Sequence, residues 1–369
     1  MPLRLKPLSQ QTIVITGPTS GIGLATAIAA AREGANLVLA ARSETVLKDV
    51  ERQIKAEKPS AKILTVVTDV SDKAQVQKLS DAAVSKFGSY DTWVNNAGVS
   101  IYGQLQEISD EDHRQLFETN FWGVVHGSLV AVPQLKKTSG VLINLGSELS
   151  EHGITLQGMY AASKHAIKGF TDSLRMELDE EGAPVAVTLI KPAAIATPFP
   201  EHAKNYTNKQ AMLPQPIYAP EEAAYAILHA ATTPTRDAYV GGGAKMTSVM
   251  SKLAPRAFDW LAEKLGQSQL RDEAETDTGS NLYDGYSQGN TRGTRAGFVM
   301  EKSLYTRASL HPLATSLILA GIGVGLYSLI NSFQPAETPQ QRYRRRLQSV
   351  RSHIPDLSSK LTQLRRAIG

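Results

Sequence analysis

Thr12-Ile-Val-Ile-Thr16-Gly-Pro-Thr-Ser-Gly-Ile-Gly23 is the stretch that decides the fold. A strand ending at Thr16, a tight glycine turn and a helix opening at Ile22 make the first strand–turn–helix unit of a dinucleotide-binding fold. In this reading Gly17 allows the turn, Gly21 lets a dinucleotide approach the backbone, and Gly23 permits close packing of helix on strand. Thr19, Ser20 and Ile22 complete the loop. The helix start then turns free N–H groups and the positive end of its dipole toward a pyrophosphate.

Outward from this turn, residues 12–240 alternate between short apolar runs and amphipathic stretches, the pattern of a parallel sheet covered on both faces. Strands are predicted at 12–16, 36–40, 63–68, 91–95, 140–145, 186–190 and 238–240. Helices are predicted at 22–33, 44–55, 73–87, 111–135, 159–181 and 221–231. The expected fold class is therefore α/β, a doubly wound parallel sheet of seven strands. Four prolines between 200 and 220 forbid a long helix there, and a mobile segment over a site is expected.

The second strand ends Leu39-Ala-Ala-Arg42-Ser43, with no carboxylate before Glu44. An acidic side chain at this point binds the ribose 2′-hydroxyl of NAD, whereas arginine accommodates a 2′-phosphate, so NADP(H) is expected. The Arg42 guanidinium can also stack on adenine, and Ser43 can donate to the phosphate. Farther along, Tyr160 and Lys164 are four residues apart on a predicted helix, thirteen positions beyond Ser147. One helix face carries both, so the ammonium is expected to lower the phenol pKa toward the working range.

The 369 residues are 42% hydrophobic, enough for a sizeable core, and include no cysteine, which removes disulfides and thiol chemistry. The eight histidines show no metal-ligand spacing. Residues 335–369 carry a local charge of +6 within a net +4, leaving the remainder near −2, a balance that argues against a nucleic-acid-binding fold. Met1 to Gln11 lacks the apolar core of a signal peptide, so a cytoplasmic catalytic domain is expected.

Residues 1–266 are read as the catalytic domain. Residues 267–310, rich in Gly, Asp, Ser, Asn, Gln and Thr, are read as a flexible linker unable to build a second core. Residues 311–333 form a candidate membrane-associated segment and 334–369 a basic tail. The apolar run 317–330 just reaches the length of a membrane helix, but its glycines leave a segment buried in an oligomer or an interfacial hairpin as alternatives. Basic residues flank both ends, so no orientation follows, and a membrane surface could be met through 311–346.

Over roughly residues 8–245 the chain resembles the short-chain dehydrogenase/reductase family. The resemblance rests on Gly17-x-x-x-Gly21-x-Gly23, Asp69-Val70 after the third strand and Asn95-Asn96-Ala97-Gly98 after the fourth. Asn120, Ser147 and Tyr160-x-x-x-Lys164 follow in the family's order. It implies that Asp69, beside Val70, bonds the adenine amino group, and that Asn96, Ala97 and Gly98 support the central sheet and line the ribose region. It further implies that Tyr160 is the general acid in carbonyl reduction and the base in alcohol oxidation. Ser147 would hold the substrate oxygen, Lys164 would bind the nicotinamide ribose, and Asn120 would bend its helix and hold a water linking Lys164 to solvent. After the sixth strand the family's usual Pro-Gly is replaced by Pro192-Ala193, a less free turn, with Ile195 and Thr197 still expected at the nicotinamide amide.

Val99–Tyr102, the loop after Ser147 with His152, and a lid from Phe199 to Ile217 with Tyr206, Met212 and Leu213 are expected to wall a substrate pocket. Their apolar character points to lipophilic carbonyl or alcohol substrates. Glu148 would disfavour acidic substrates if it faced that pocket; a surface position is expected. The rival readings are a catalytically idle scaffold and a redox-neutral dehydratase or epimerase. The resemblance also implies a homo-dimer or homo-tetramer built on the two long helices.

Overall fold

The computed structural model describes residues 3–275, 279–285, 289–295, 297–318, 326–327, 339–353 and 357–367. Its centre is a parallel sheet of seven strands: β1 (Thr12–Thr16), β2 (Asn36–Ala41), β3 (Ile63–Val67), β4 (Thr92–Asn95), β5 (Val141–Leu145), β6 (Ala186–Pro192) and β7 (Asp237–Val240). They lie in the order β7-β6-β5-β4-β1-β2-β3. The chain runs outward from β1 to β3, returns to pair β4 beside β1 with Ile13 opposite Thr92, and then runs out the other way. Direction reverses between β1 and β4, and a crevice opens at the carboxyl ends of these strands.

Seven helices cover the sheet: α1 (Gly21–Arg32), α2 (Glu44–Glu57), α3 (Lys73–Phe87), α4 (Asp110–Phe117), α5 (Gly123–Thr138), α6 (Gly158–Glu180) and α7 (Pro220–Thr232). Strand side chains alternate between faces, so β1 contributes to two cores at once. Ile13 and Ile15 join Leu24, Leu37, Leu39 and Ile227 on one face, and Val14 joins Val38, Trp93, Leu135 and Leu142 on the other. Burial on both faces explains why these strands read as nearly continuous apolar runs.

The helix predicted over 111–135 is interrupted. Between α4 and α5, Glu118–Trp122 form a widened π turn that holds Asn120. The Asn120 amide is fully buried and grips Val99 from both sides, accepting from its N–H at 2.8 Å and donating to its carbonyl at 3.0 Å. A side chain clamped to a neighbouring backbone in this way fixes a local bulge in the helix. The lid region contains a helical turn, Phe199–His202, and the short strands Lys204–Asn205, Lys209–Ala211 and Ile217–Tyr218.

The described part of 267–310 is not a flexible linker. Two helices, α8 (Gly242–Leu253) and α9 (Pro255–Gln267), lead into Leu270–Ala274, which pairs antiparallel with Lys209–Ala211. Val299–Met300 adds to a small parallel sheet with Ile217–Tyr218 and Ala194–Ile195. A helix α10 (Leu304–Leu310) follows, and its Thr306 hydroxyl accepts from Gly241 N–H at 2.9 Å. The buried Glu222 carboxylate accepts from Ser303 N–H at 3.2 Å and from the Arg307 guanidinium at 2.6 Å. Polar composition shows that a segment cannot build a core of its own; it does not prevent the segment from adding backbone and ion pairs to an existing one.

Residues 1–311 form one compact unit and 312–369 another, the second containing helices Pro339–His353 and Leu357–Ala367. Among the described residues no helix is long and apolar enough to cross a membrane. Most of the apolar run at 317–330 lies outside the described residues.

Candidate active site

The glycine turn after β1 is built by contacts that leave no room for a side chain. A Cβ on Gly23 would stand 2.2 Å from the Gly17 carbonyl oxygen, and one on Gly21 would stand 2.9 Å from Thr197 Cγ2. Gly17 and Gly21 also have φ of +66° and +54°, a region that other residues avoid. Asn96 locks the turn from β4, its amide donating to the carbonyls of Thr16 and Gly17 at 2.9 Å each, while Ala97 N–H donates to Thr16 Oγ1. The resulting groove fits a dinucleotide phosphate bridge, because its floor is bare backbone at a helix start.

From the turn a cavity of about 260 Å³ runs along the carboxyl ends of the strands. Gly17, Thr19, Ser20, Gly21, Ile22 and Gly23 line one end. Arg42, Ser43, Asp69, Val70, Ala97 and Gly98 line its flank. Ser147, Tyr160, Lys164, Pro192, Ile195 and Thr197 line the other end. Of the residues expected to be catalytic or to bind the coenzyme, Asn120 stands behind the wall, where it holds Val99 and donates to Ser163 Oγ. Ala193 replaces the family's glycine without backbone strain, since Ser139 and Leu156 are the non-glycine residues of positive φ among those described.

Two expected ligand groups already have partners within the chain. Asp69 Oδ1 accepts from the N–H and hydroxyl of Ser71 at 2.9 and 2.7 Å. Arg42 donates through both terminal nitrogens to backbone carbonyls of the C-terminal extension: Tyr283 at 2.8 Å, Leu282 at 3.4 Å, Asn281 at 2.5 Å and Asp284 at 2.9 Å.

Tyr160 and Lys164 share a face of α6, with the Lys164 ammonium 5.5 Å from the centre of the phenol ring. Lys164 also donates to the Leu145 carbonyl at 2.8 Å. The lowered phenol pKa expected from this pairing is not found. Burial pushes Tyr160 well above the usual phenol range, the Ser147 hydroxyl pulls it back only partly, and Glu148 pushes it further up. Burial also brings Lys164 down to about 8. Desolvation disfavours both charged forms, and it is the largest influence on each.

The expected walls are present in part. Val99, Tyr102, Phe199 and Leu213 line the cavity, with the Phe199 ring 5.5 Å from that of Tyr160. Tyr206 instead donates to Asp112 at 2.6 Å, and His152 packs on Phe258 at 4.5 Å between ring centres. Glu148 is not the surface residue expected: it lines the cavity, accepts from Thr247 Oγ1 at 3.3 Å, and burial raises its carboxyl to about 7. Gln157, His202, Gln269, Asn281 and Gly285 also line the cavity and were not anticipated. His202 comes from the lid, and the last three come from the extension, whose approach depends on long-range pairing that no local pattern carries.

The loop after Ser147 is pinned by a buried ion pair. Glu151 and Lys191 meet at 3.0 Å with side chains 4% and 3% exposed, and Lys252 adds a contact at 2.6 Å.

Comparison with known proteins agrees with this geometry. A family model described as short chain dehydrogenase matches residues 11–207. The chain is 42% identical over 325 residues to an uncharacterised oxidoreductase, YxnA, of Bacillus subtilis, covering 87% of this chain and 91% of that one. That coverage exceeds residues 1–266, so the likeness reaches into the C-terminal extension. It is 31% identical over 262 residues to 11-beta-hydroxysteroid dehydrogenase A of Sesamum indicum, covering 68% and 74% of the two chains. Among solved structures, a Burkholderia phymatum short-chain dehydrogenase/reductase in complex with NAD is 26% identical with a TM-score of 0.61, covering 74% of this chain and all of that one. A Thermococcus sibiricus alcohol dehydrogenase complexed with 5-hydroxy-NADP is also 26% identical, with a TM-score of 0.55 over 62% of this chain and 95% of that one. The chain belongs to the short-chain dehydrogenase/reductase family. It is an oxidoreductase of the type that uses a nicotinamide coenzyme.

The ion pair yields a stability prediction. Burial alone would raise the Glu151 carboxyl, but Lys252 and Lys191 outweigh it and hold it at about 2, below its ordinary 4.5. A depressed carboxylate stabilises the fold above its unfolded pKa and loses that contribution as pH falls toward 2. Glu151→Gln should therefore lower stability at neutral pH by ~3 kcal/mol, as expected for leaving a buried charge unpaired. Its acid limb should also be shallower than that of the wild type, as measured by denaturant unfolding at a series of pH values. Superimposable acid limbs would contradict this account.

Proposed function

We propose that the protein is an NADP(H)-dependent carbonyl reductase or alcohol dehydrogenase acting on lipophilic substrates. The observation that carries this reading is the convergence of Ser147, Tyr160 and Lys164 on the cavity floored by the glycine turn. A nicotinamide coenzyme supplies or accepts the hydride when bound. Ser147, lining the same end of the cavity as Tyr160, holds the substrate oxygen and stabilises charge developing there. Tyr160 gives its proton to that oxygen in reduction and takes it back in oxidation. Lys164 favours the phenolate left behind. Asn120 positions the Val99 backbone beside this group.

NADP(H) is favoured because β2 ends at Arg42-Ser43 with no carboxylate before Glu44. The apolar walls Val99, Tyr102, Leu149, Ile154, Phe199 and Leu213 support a lipophilic substrate, and the steroid dehydrogenase of Sesamum indicum is a relative with a substrate of that kind in its name. Trp122, Leu129 and Met176 are exposed on the α5–α6 side, which supports association of copies through these helices.

Tyr160→Phe should lower NADPH-dependent ketone reduction by about 10²–10⁴-fold while leaving coenzyme binding measurable by fluorescence titration. Tight NADPH binding without turnover on any ketone or aldehyde would instead favour an idle scaffold, and turnover confined to small polar sugars would sink the lipophilic assignment.

Ionised Glu148 beside Tyr160 opposes negative charge on the substrate oxygen. The kcat/KM for reduction should therefore fall as pH rises through about 7, where Glu148 loses its proton. Glu148→Gln should flatten that limb. A wild-type profile without this inflection would rule out the role.

Sedimentation should show a dimer or tetramer that Leu129→Asp with Met176→Asp converts to monomer. A monomeric wild type would remove the association.

A further inference from the structure

The C-terminal extension returns to the two places where a dinucleotide would be held. Arg42 is gripped by four successive carbonyls, those of Asn281, Leu282, Tyr283 and Asp284. The backbone of the same segment lies against the end of β2, since a Cβ on Gly285 would stand 3.1 Å from Ser43 N and 3.2 Å from Arg42 Cβ. Farther along, the Asn290 carbonyl accepts at 3.0 Å from the N–H of Gly21, one of the free donors at the start of α1.

The segment is also anchored by contacts that do not involve Arg42. Leu282 is fully buried among Val99, Ile101, Ile108 and Leu116. Tyr283 donates its hydroxyl to Asp112 at 2.7 Å, and Asn281 N–H donates to the His202 carbonyl at 2.9 Å. Gln115 adds a contact to the Leu282 carbonyl at 3.4 Å. These anchors leave the carbonyl row aimed at the guanidinium.

Resting on the coenzyme reading above, we infer that residues 281–285 are a coenzyme-selecting strap whose carbonyls compete with the 2′-phosphate of NADP(H) for Arg42. A guanidinium has a fixed fork of donors, and those on its two terminal nitrogens are directed at the strap. A phosphate dianion makes stronger, charge-assisted bonds than neutral carbonyls, so it can displace them. Asp69 and Asp284, both near enough to act on the Arg42 charge, repel a second anion and tilt the contest toward the strap. NAD(H), which has no 2′-phosphate, brings no anion to replace the carbonyls at Arg42 and leaves the strap seated. The strap therefore reduces NADP(H) affinity by the fraction of molecules in which it is closed, and leaves NAD(H) affinity alone.

The test uses the full chain. Equilibrium titration with NADPH and NADH would compare the wild type with Leu282→Ala/Tyr283→Phe, which weakens the anchors without touching Arg42. Hydrogen exchange of the wild-type amides at 281–285 would follow addition of NADP⁺, NAD⁺ or adenosine 2′,5′-bisphosphate. The expected result is NADPH binding on the order of tenfold tighter in the variant with NADH unchanged. In the wild type, strap exchange should quicken with NADP⁺ and the bisphosphate but not with NAD⁺. Looser binding of both coenzymes by the variant, or strap amides protected by NADP⁺, would show a cover that closes over the coenzyme and would overturn the competition. Binding of neither coenzyme by either protein would overturn the coenzyme reading and this inference with it.

Discussion

The close approach of α1 to the end of β1 is the constraint on which the site depends. The helix starts so near the strand that Gly23 leaves no space for a Cβ beside the Gly17 carbonyl. Asn96 then ties that carbonyl to β4, the strand across the point where the sheet changes direction. The crevice is thus held by hydrogen bonds from both sides, and its floor at the glycine turn is backbone. A groove floored by backbone at a helix start suits a phosphate bridge, and the other end of the cavity lies along the neighbouring strands.

At that end burial dominates over charge. Tyr160 and Lys164 are brought to one face of α6 by their spacing, but each sits where ionisation is costly. The phenol holds its proton and the ammonium releases its own more readily than in water. Glu148 belongs to the same dry environment, with a carboxyl that changes charge near neutrality. The adjoining loop is held by ions of the opposite kind, because Glu151 meets two lysines and stays charged. Two glutamates three residues apart therefore behave differently: burial governs Glu148, whereas two lysine partners outweigh burial at Glu151.

Local sequence was a good guide wherever a local pattern carries the information. The seven sheet strands were legible because each is a short apolar run, and the named residues that line the cavity were reached from the glycine turn, the end of β2 and the family resemblance. Asn120 was recognisable by position, but its grip on Val99 depends on a π turn that splits a helix whose periodicity reads as continuous. The phenol shift was misjudged because spacing reveals a neighbouring charge and hides the depth of burial. Gln269, Asn281 and Gly285 were invisible for a third reason: they reach the cavity through pairings such as Leu270–Ala274 with Lys209–Ala211, distant in sequence and polar in composition.

That last failure bears on how the extension is held. A segment rich in Asn, Asp, Gly and Ser has too little apolar surface to fold alone, so its order must be supplied by the body of the protein. The body does so mainly with charges and backbone: Glu222 holds Arg307 and Ser303, Glu275 holds Arg295, and Arg42 holds the carbonyls of 281–284. Among the described residues of the extension, Leu282 contributes a fully buried apolar side chain beside the reacting end. Contacts of this kind exchange partners more readily than an apolar core does, because a better anion can replace a carbonyl without opening a cavity. The guanidinium proposed to take a 2′-phosphate at the end of β2 is thereby one of the groups through which the extension is fastened, and under that proposal coenzyme chemistry and the order of the extension meet at one side chain.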